Sequence, residues 1–380
     1  MRKILFVFSS TEFYSGAEVV LFRLASCLRR NFECSGLFPN RGELYRNWRD
    51  KGLSAIVLPF IPAGRHSLFI TRLPVFILVN LLYAILLFFE ILQRKIDIVH
   101  INDIYNLQAM VASRLAGGKV VCHIHAGVLP PPFFKRMVLR LAALLSHQFV
   151  SDSKAVLDMW FGGKEIPQNA TVLHSMHPDP LRFDPAKYVR KKSVSFDIGM
   201  VAKMCREKGH KYFVEAAKLL KDMGSKDFRC HIVGGKLKGH EGYYDEIVEL
   251  IESRDLSNEF ILHGMTTDVP RLLSELDVFV HTPDFEDPFP TVVLEAMMME
   301  KPVVCFRVGG IPEQFIDGES GILIPFRDVK RIAEEIADLY KNPTRREALG
   351  RQARIHVMSE FSEKKTVEKC SEVYGKLFKR

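Results

Sequence analysis

The sequence predicts an α/β chain of two doubly wound, Rossmann-like domains, each a parallel sheet covered by helices on both faces. Three observations carry the prediction. Short, mostly apolar, β-rich runs alternate with helical stretches, the pattern of strands buried on both faces. That series occurs twice, on either side of a stretch with little periodicity. The chain's 380 residues also exceed one ordinary core. With 47% hydrophobic and 26% charged residues, a disordered or collagen-like chain is excluded.

The elements follow in order. Arg2-Lys3 precede an apolar run at 4–8 that is too short for the about 7–15 residues of a signal-peptide core, so it reads as the first buried strand. Further strands are expected at 55–58, 96–101, 119–124 and 148–150, with a periodic helix at 17–30. The second series has strands at 197–201, 229–233, 260–263, 278–281, 302–306 and 321–324, with helices at 211–223 and 329–340 among them. Between the two series, residues 175–195 carry three prolines and Arg190-Lys191-Lys192, and the interdomain link is placed there. The expected domains are 1–180 and 190–363, with a final helix at about 364–380 packing back on the first. Doubly wound sheets bind ligands at the carboxyl ends of their strands. If those edges face each other, a cleft collects loops from both domains.

Charge is unevenly spread. Residues 1–190 hold 23 Lys+Arg against 13 Asp+Glu, a net of +10, and the remainder holds 30 against 32, a net of −2. The basic half suits nucleic acid, a phosphate-bearing substrate or an anionic membrane. From Val75 to Phe89 only Asn80 is strongly polar, which fits a helix packed on the core, one resting on a membrane surface, or a span. Residues 133–145 form a basic amphipathic helix with Lys135, Arg136 and Arg140. Seven scattered cysteines, without CxxC or zinc spacing, read as buried free thiols of a reducing cytosol.

Four segments carry candidate chemistry. Small residues from Ser9 to Gly16 open a helix, where backbone amides and the helix dipole favour a phosphate. Neither GxGxxG nor a Walker lysine accompanies them, and Gly16 alone also reads as a turn residue. Lys203 and Lys208, the latter followed by Gly209, lie where a strand gives way to loop and helix, placed to hold a diphosphate or simply to be solvated. From His281 to Met297 an acid- and proline-rich loop runs into a helix expected to start near Thr291. Asp287 stands before its N-terminus and Glu295 one turn in. Carboxylates beside helix amides suit a polyhydroxyl ligand, and equally an acidic cap. Glu295 in an apolar helix needs a partner if buried. Asp284-Phe285-Glu286 resembles a metal-binding pair only weakly. His123 and His125 share one face of a strand, with no third zinc ligand suggested by spacing. His125, at the strand end, is placed to meet a ligand.

Taken together these residues resemble glycosyltransferase family 4, the retaining, nucleotide-sugar-dependent transferases of GT-B fold. The likeness covers nearly the whole chain. It is strongest where Asp287-Pro288-Phe289-Pro290 and Leu294-Glu295-Ala296-Met297 match a two-acid signature. Lys301-Pro302-Val303-Val304, Gly309-Gly310-Ile311-Pro312-Glu313 and Asp317-Gly318-Glu319-Ser320-Gly321 follow in the family's order. The resemblance implies that Gly16 lies near the donor phosphates and that His125 approaches the donor sugar. Lys203 and Lys208 would hold the leaving diphosphate. Asp287 would contact sugar hydroxyls and Glu295 the ribose, with backbone of Phe289, Pro290, Thr291 and Val292 lining the pocket. The sequence departs from the family in four places. Asp287 replaces Glu and Lys203 replaces Arg, which loses bidentate geometry. Pro288 removes an amide donor, and His174-Ser175-Met176-His177 replaces an Asn-Gly turn.

The expectation is therefore a cytoplasmic transferase that moves a sugar from a nucleotide-diphosphate donor to a hydroxyl acceptor with retention. The acceptor is expected to be a glycan or lipid-linked saccharide of envelope polysaccharide, lipopolysaccharide included. No metal or other cofactor is expected. The protein is expected to sit peripherally on an anionic inner leaflet and not on nucleic acid. Lys208→Ala is expected to lower turnover with little loss of folding. The rivals are a nucleotide-sugar epimerase or hydrolase on the same frame, and a catalytically silent glycan- or membrane-binding protein.

Overall fold

The computed structural model describes residues 1–10, 16–60, 73–125, 131–163, 166–188, 195–237 and 239–378. The chain divides into two compact units. The first is Met1–Met176 with Glu363–Arg380, and the second is His177–Ser362.

The first unit carries strands β1 (Lys3–Val7), β2 (Glu33–Phe38), β3 (Ser54–Val57), β4 (Ile98–Ile101), β5 (Lys119–Ile124), β6 (Gln148–Ser151) and β7 (Ala170–Val172). Its helices are α1 (Gly16–Leu28), α2 (Glu43–Asp50), α3 (Leu73–Arg94), α4 (Leu107–Leu115), α5 (Pro132–Leu145) and α6 (Lys154–Phe161). The strands pair in parallel in the order β3-β2-β1-β4-β5-β6-β7. Ile4, Phe6 and Phe8 enter one apolar cluster and Leu5 and Val7 another, as alternation in a sheet buried on both faces requires.

The second unit repeats the plan with β8 (Phe196–Val201), β9 (Phe228–Val233), β10 (Phe260–Leu262), β11 (Val278–His281), β12 (Val303–Phe306) and β13 (Ile322–Ile324). Its helices are α7 (His210–Asp222), α8 (Glu241–Ser253), α9 (Val269–Glu275), α10 (Thr291–Met298), α11 (Val329–Lys341) and α12 (Pro343–Glu360). The order is β10-β9-β8-β11-β12-β13, again all parallel. Both sheets reverse winding direction once, between β1 and β4 and between β8 and β11. A doubly wound sheet opens its ligand crevice at such a reversal.

The division, between Met176 and His177, falls at the start of the expected link. Residues 177–188 belong to the second unit, where Phe183 enters an apolar cluster and His177 N–H donates to the Phe361 carbonyl at 2.8 Å. Residues 189–194, with Arg190-Lys191-Lys192, lie outside the described residues. The final helix, α13 (Glu363–Lys376), packs on α1 in the first unit, burying Cys370, Val373 and Tyr374. All seven cysteines are free, and six are buried.

Helix α3 is long and apolar enough to cross a membrane by length and composition. One stripe of it, Asn80, Tyr83, Leu87 and Ile91, is nonetheless buried. It packs on α4, where the Gln108 amide donates to Asn80 Oδ1 at 3.1 Å.

Candidate active site

The loops at the two sheet reversals hold most of the expected site residues. In the second unit, β8 ends at Val201 and the chain passes Lys203, which is exposed, into a tight turn at Arg206–Lys208. Gly209 closes that turn with φ +67°, and a Cβ there would sit 1.9 Å from the Thr282 carbonyl oxygen. Only glycine allows this approach, and it brings Lys208 up to the loop that follows β11. Lys208 Nζ lies 2.5 Å from Asp287 Oδ2 and 4.9 Å from the centre of the Phe285 ring. His281, at the end of β11, stands 3.3 Å from the same oxygen through Nε2. Asp287 is buried, which alone would push its carboxyl up. The Lys208 charge and the His281 hydrogen bond outweigh burial and hold it at about 2. Burial pulls the His281 imidazole down, so the neutral ring donates from Nε2.

Asp287 is gripped from behind as well. Gly310 N–H donates to its carbonyl at 2.9 Å, and at Gly309, with φ +56°, a Cβ would meet that carbonyl oxygen at 2.2 Å. The paired glycines thus form a close backbone clasp on the acidic loop. Asp284 anchors the other end through Lys211 Nζ (2.7 Å), Tyr212 Oη (2.7 Å) and Arg327 Nη2 (2.6 Å). Two cations and a hydroxyl occupy its oxygens, so Asp284-Phe285-Glu286 serves as a fastening.

Helix α10 begins at Thr291 as its signature requires, with Pro290 as a cap that has no side-chain bond to offer. Thr291, Val292 and Glu295 form its partly accessible stripe, while Val293, Leu294, Ala296, Met297 and Met298 are buried. Glu295 is half-buried, so its helix position does not impose the burial cost weighed above. The first-turn amides of Thr291 and Val292 have no partner within the helix. Phe289 and Pro290, whose backbone is expected in the lining, also make contacts elsewhere. The Phe289 side chain is buried in the core, edge-on to Phe361 at 5.4 Å. Pro290 has no N–H, and its carbonyl accepts from Gln314 Nε2 at 2.9 Å and from Val293 N–H at 3.1 Å.

In the first unit Gly16 is the first residue of α1, and a Cβ there would meet nothing within 4 Å. Thr11–Ser15, Ala126 and Gly127 lie outside the described residues. His125 follows β5. Its Nδ1 lies 2.5 Å from Asp152 Oδ2 and its Nε2 lies 2.7 Å from Asn102 Oδ1. Asn102 Nδ2 donates to Glu18 Oε2 at 2.9 Å, and Glu18 Oε1 accepts from the amides of Ser9 (3.2 Å) and Ser10 (2.9 Å). Glu18 is not among the residues singled out from the sequence. Burial raises its carboxyl to about 7, against the lowering pull of His125 and its hydrogen bonds. His125 moves up overall. Burial pulls it down, and Asp152, Glu18 and Asp103 more than reverse that. Asp152 is buried too, yet the two histidines hold it well below the ordinary carboxylate range.

Asp152 is also the third donor that spacing did not suggest beside the histidine pair. One atom each from His123, His125 and Asp152 lies within 4.8 Å of the others, a separation at which a metal could be held. Those atoms are bonded to one another, with His123 Nε2 at 3.2 Å from Asp152 Oδ1. Glu18, Asn102 and Asp152 had no local signal. They follow β1, β4 and β6, and only the strand order brings them beside His125.

Two α/β units with anion-directed cations at one reversal and a buried acid–histidine group at the other define a two-domain ligand-binding protein of the GT-B class. Comparison with known proteins makes this specific. Residues 14–175 match the family described as Glycosyltransferase Family 4, and residues 186–356 match Glycosyl transferases group 1. The chain belongs to this family of transferases and has its GT-B fold. It is 29% identical over 182 residues to a poly(ribitol-phosphate) alpha-N-acetylglucosaminyltransferase of Staphylococcus aureus, covering 47% of this chain and 35% of that protein. It is 28% identical over 193 residues to the capsular polysaccharide biosynthesis glycosyltransferase CapM of Staphylococcus aureus, covering 51% and 49%. The chain thus spans about a third to a half of the length of these curated relatives. In fold it resembles HepE of Anabaena, solved in complex with UDP, with TM-score 0.81 and 20% identity over 98% of this chain and 100% of that one.

Proposed function

We propose that the protein is a retaining glycosyltransferase that moves a sugar from a nucleotide-diphosphate donor to a hydroxyl acceptor of envelope polysaccharide. The observation that carries the reading is the Lys208–Asp287 pair at the β8/β11 reversal, held by Gly209 and Gly309. A cation already oriented there can receive the charge of a departing diphosphate without reorganising. Lys203 adds a second cation in the same loop. Asp287 and the α10 amides then face sugar hydroxyls, and Glu295 the ribose. In the first unit, His125 is the side chain we assign to contact with a sugar. Front-face attack, with the leaving phosphate taking the acceptor proton, needs orientation and charge stabilisation more than a strong protein base. No metal is assigned to this chemistry, because Lys203 and Lys208 answer the diphosphate charge.

The acceptor side is read from a surface. Helices α3, α4 and α5 lie side by side on the first unit. They expose Leu78, Phe89, Leu115, Phe133 and Leu144, with Phe133 83% accessible. Lys135, Arg136 and Arg140 lie on α5 among these apolar residues. Such a face suits an anionic inner leaflet and a lipid-linked saccharide. Incubation with a panel of nucleotide sugars tests the whole reading. Slow release of nucleoside diphosphate from one donor, made faster by a lipid-linked acceptor, is expected. Epimerised sugar, or no donor turned over, would contradict it. Sedimentation with anionic vesicles at low salt tests the surface. Binding lost in Arg136→Glu/Arg140→Glu is expected, and a protein that stays soluble beside such vesicles would contradict it.

A further inference from the structure

The histidine group beside Asp152 continues well past His125. His123 Nδ1 lies 3.1 Å from His100 Nε2, and His100 Nδ1 lies 2.7 Å from the Tyr374 hydroxyl. His100, His123 and Tyr374 are fully buried, and Tyr374 belongs to α13, far from the others in sequence. The sense of each bond can be worked out from one end. Asp152 is ionised and only accepts, so His123 must donate from Nε2. Burial keeps His123 and His100 neutral, each with one donor and one acceptor nitrogen. His123 Nδ1 is then an acceptor, and His100 must donate to it from Nε2. His100 Nδ1 accepts in turn, and the Tyr374 hydroxyl donates. Each bond fixes the next, and no group is asked to donate and accept at the same atom.

We propose that Tyr374 is a positioning residue for His125, acting through His100, His123 and Asp152. With one Asp152 oxygen bound by His123, the other is aimed at His125 Nδ1, and the His125 ring is turned with Nε2 toward Asn102. The helix that ends the chain thereby helps to set the geometry of the group expected to meet the donor sugar. Without the tyrosine proton, His100 Nδ1 becomes a buried acceptor with no donor. The His100 ring is then held by His123 alone, and the run of bonds through His123 to Asp152 loses its anchor at that end. The proposal rests on the role read for His125 above.

Imidazole 15N spectra of the full chain test it directly. In the wild type His100 and His123 are expected as single Nε2–H tautomers. An Nδ1–H tautomer at either, or zinc retained stoichiometrically at His123, His125 and Asp152, would overturn the proposal. This arm needs no variant and stands even if a substitution fails to fold. Tyr374→Phe keeps the ring that packs edge-on against Phe32. It is expected to shift the ring-nitrogen resonances of His100 and His123 while leaving the Nε2–H tautomers that Asp152 sets. It is also expected to lower kcat about tenfold, the rate equivalent of one ordinary hydrogen bond, with donor KM unchanged. Wild-type ring-nitrogen shifts and kcat in that variant would overturn the proposal. Wild-type turnover in His125→Ala would instead overturn the reading of His125, and it is told apart by His100 and His123 spectra that remain as expected.

Discussion

Each unit buries a carboxylate beyond the carboxyl ends of its strands, and the two differ in what answers its charge. Asp152 sits between two imidazoles, while Asp287 sits between an imidazole and the Lys208 ammonium. A lysine keeps its charge across the physiological range, whereas Glu18, raised to about 7, changes its charge near neutrality. The second unit thus offers a fixed charge pattern, suited to holding a diphosphate. The first offers one that responds to pH and to what binds beside it.

The largest effect is expected at the fixed pair. Lys208→Ala should lower turnover by about 10²–10³, the usual cost of removing one preorganised donor. The structure also changes the expectation for folding. Asp287 is buried, so losing its cation should cost stability, about 3 kcal/mol. Adding Asp287→Asn should restore most of that stability and none of the turnover, as urea unfolding and donor assays can show. A double variant that recovered turnover would place the diphosphate elsewhere.

The responsive group is tested by pH. Glu18 is raised from its ordinary 4.5 to about 7, so the folded state holds that proton more tightly than the unfolded one. Stability should therefore fall as pH rises from about 4.5 to 7. In Glu18→Gln that fall should shrink by about 3 kcal/mol, measured as the difference in unfolding free energy across the range. Asp287 has the opposite sign. Lowered from 3.8 to about 2, it contributes stability above pH 3.8 that is lost as pH falls through about 2. Identical pH profiles for Glu18→Gln and the wild type would erase the contrast between the units. The smallest effect is expected for Lys203→Arg. Lys203 is exposed, and arginine keeps the charge while adding bidentate phosphate geometry. Donor KM should change little or improve. Abolished donor binding would mean that the loop after β8 is misassigned.

Much of this was legible in the sequence because parallel strands buried on both faces are nearly continuous apolar runs. Where that rule weakens, the reading fails. Strand β2, Glu-Cys-Ser-Gly-Leu-Phe, is rich in small residues with low strand preference, and β7 is a short strand at the sheet edge. The second unit's site was readable as motifs, since Lys208 adjoins Gly209 and Asp287 stands just before the α10 start at Thr291. The first unit's site was not. Asn102, His125 and Asp152 come from three separate strand ends, Glu18 from the first turn of α1, and Tyr374 from α13. Strand order unites them, and no spacing in the chain records it.

The most direct test of the central claim is calorimetric titration of the full chain with nucleoside diphosphates, repeated on Lys208→Ala/Asp287→Asn. The wild type should bind at least one of them, and the double variant, with its fold restored, should bind it at least about tenfold more weakly. Equal binding by the two proteins, or none by the wild type, would contradict the claim that this pair receives the diphosphate.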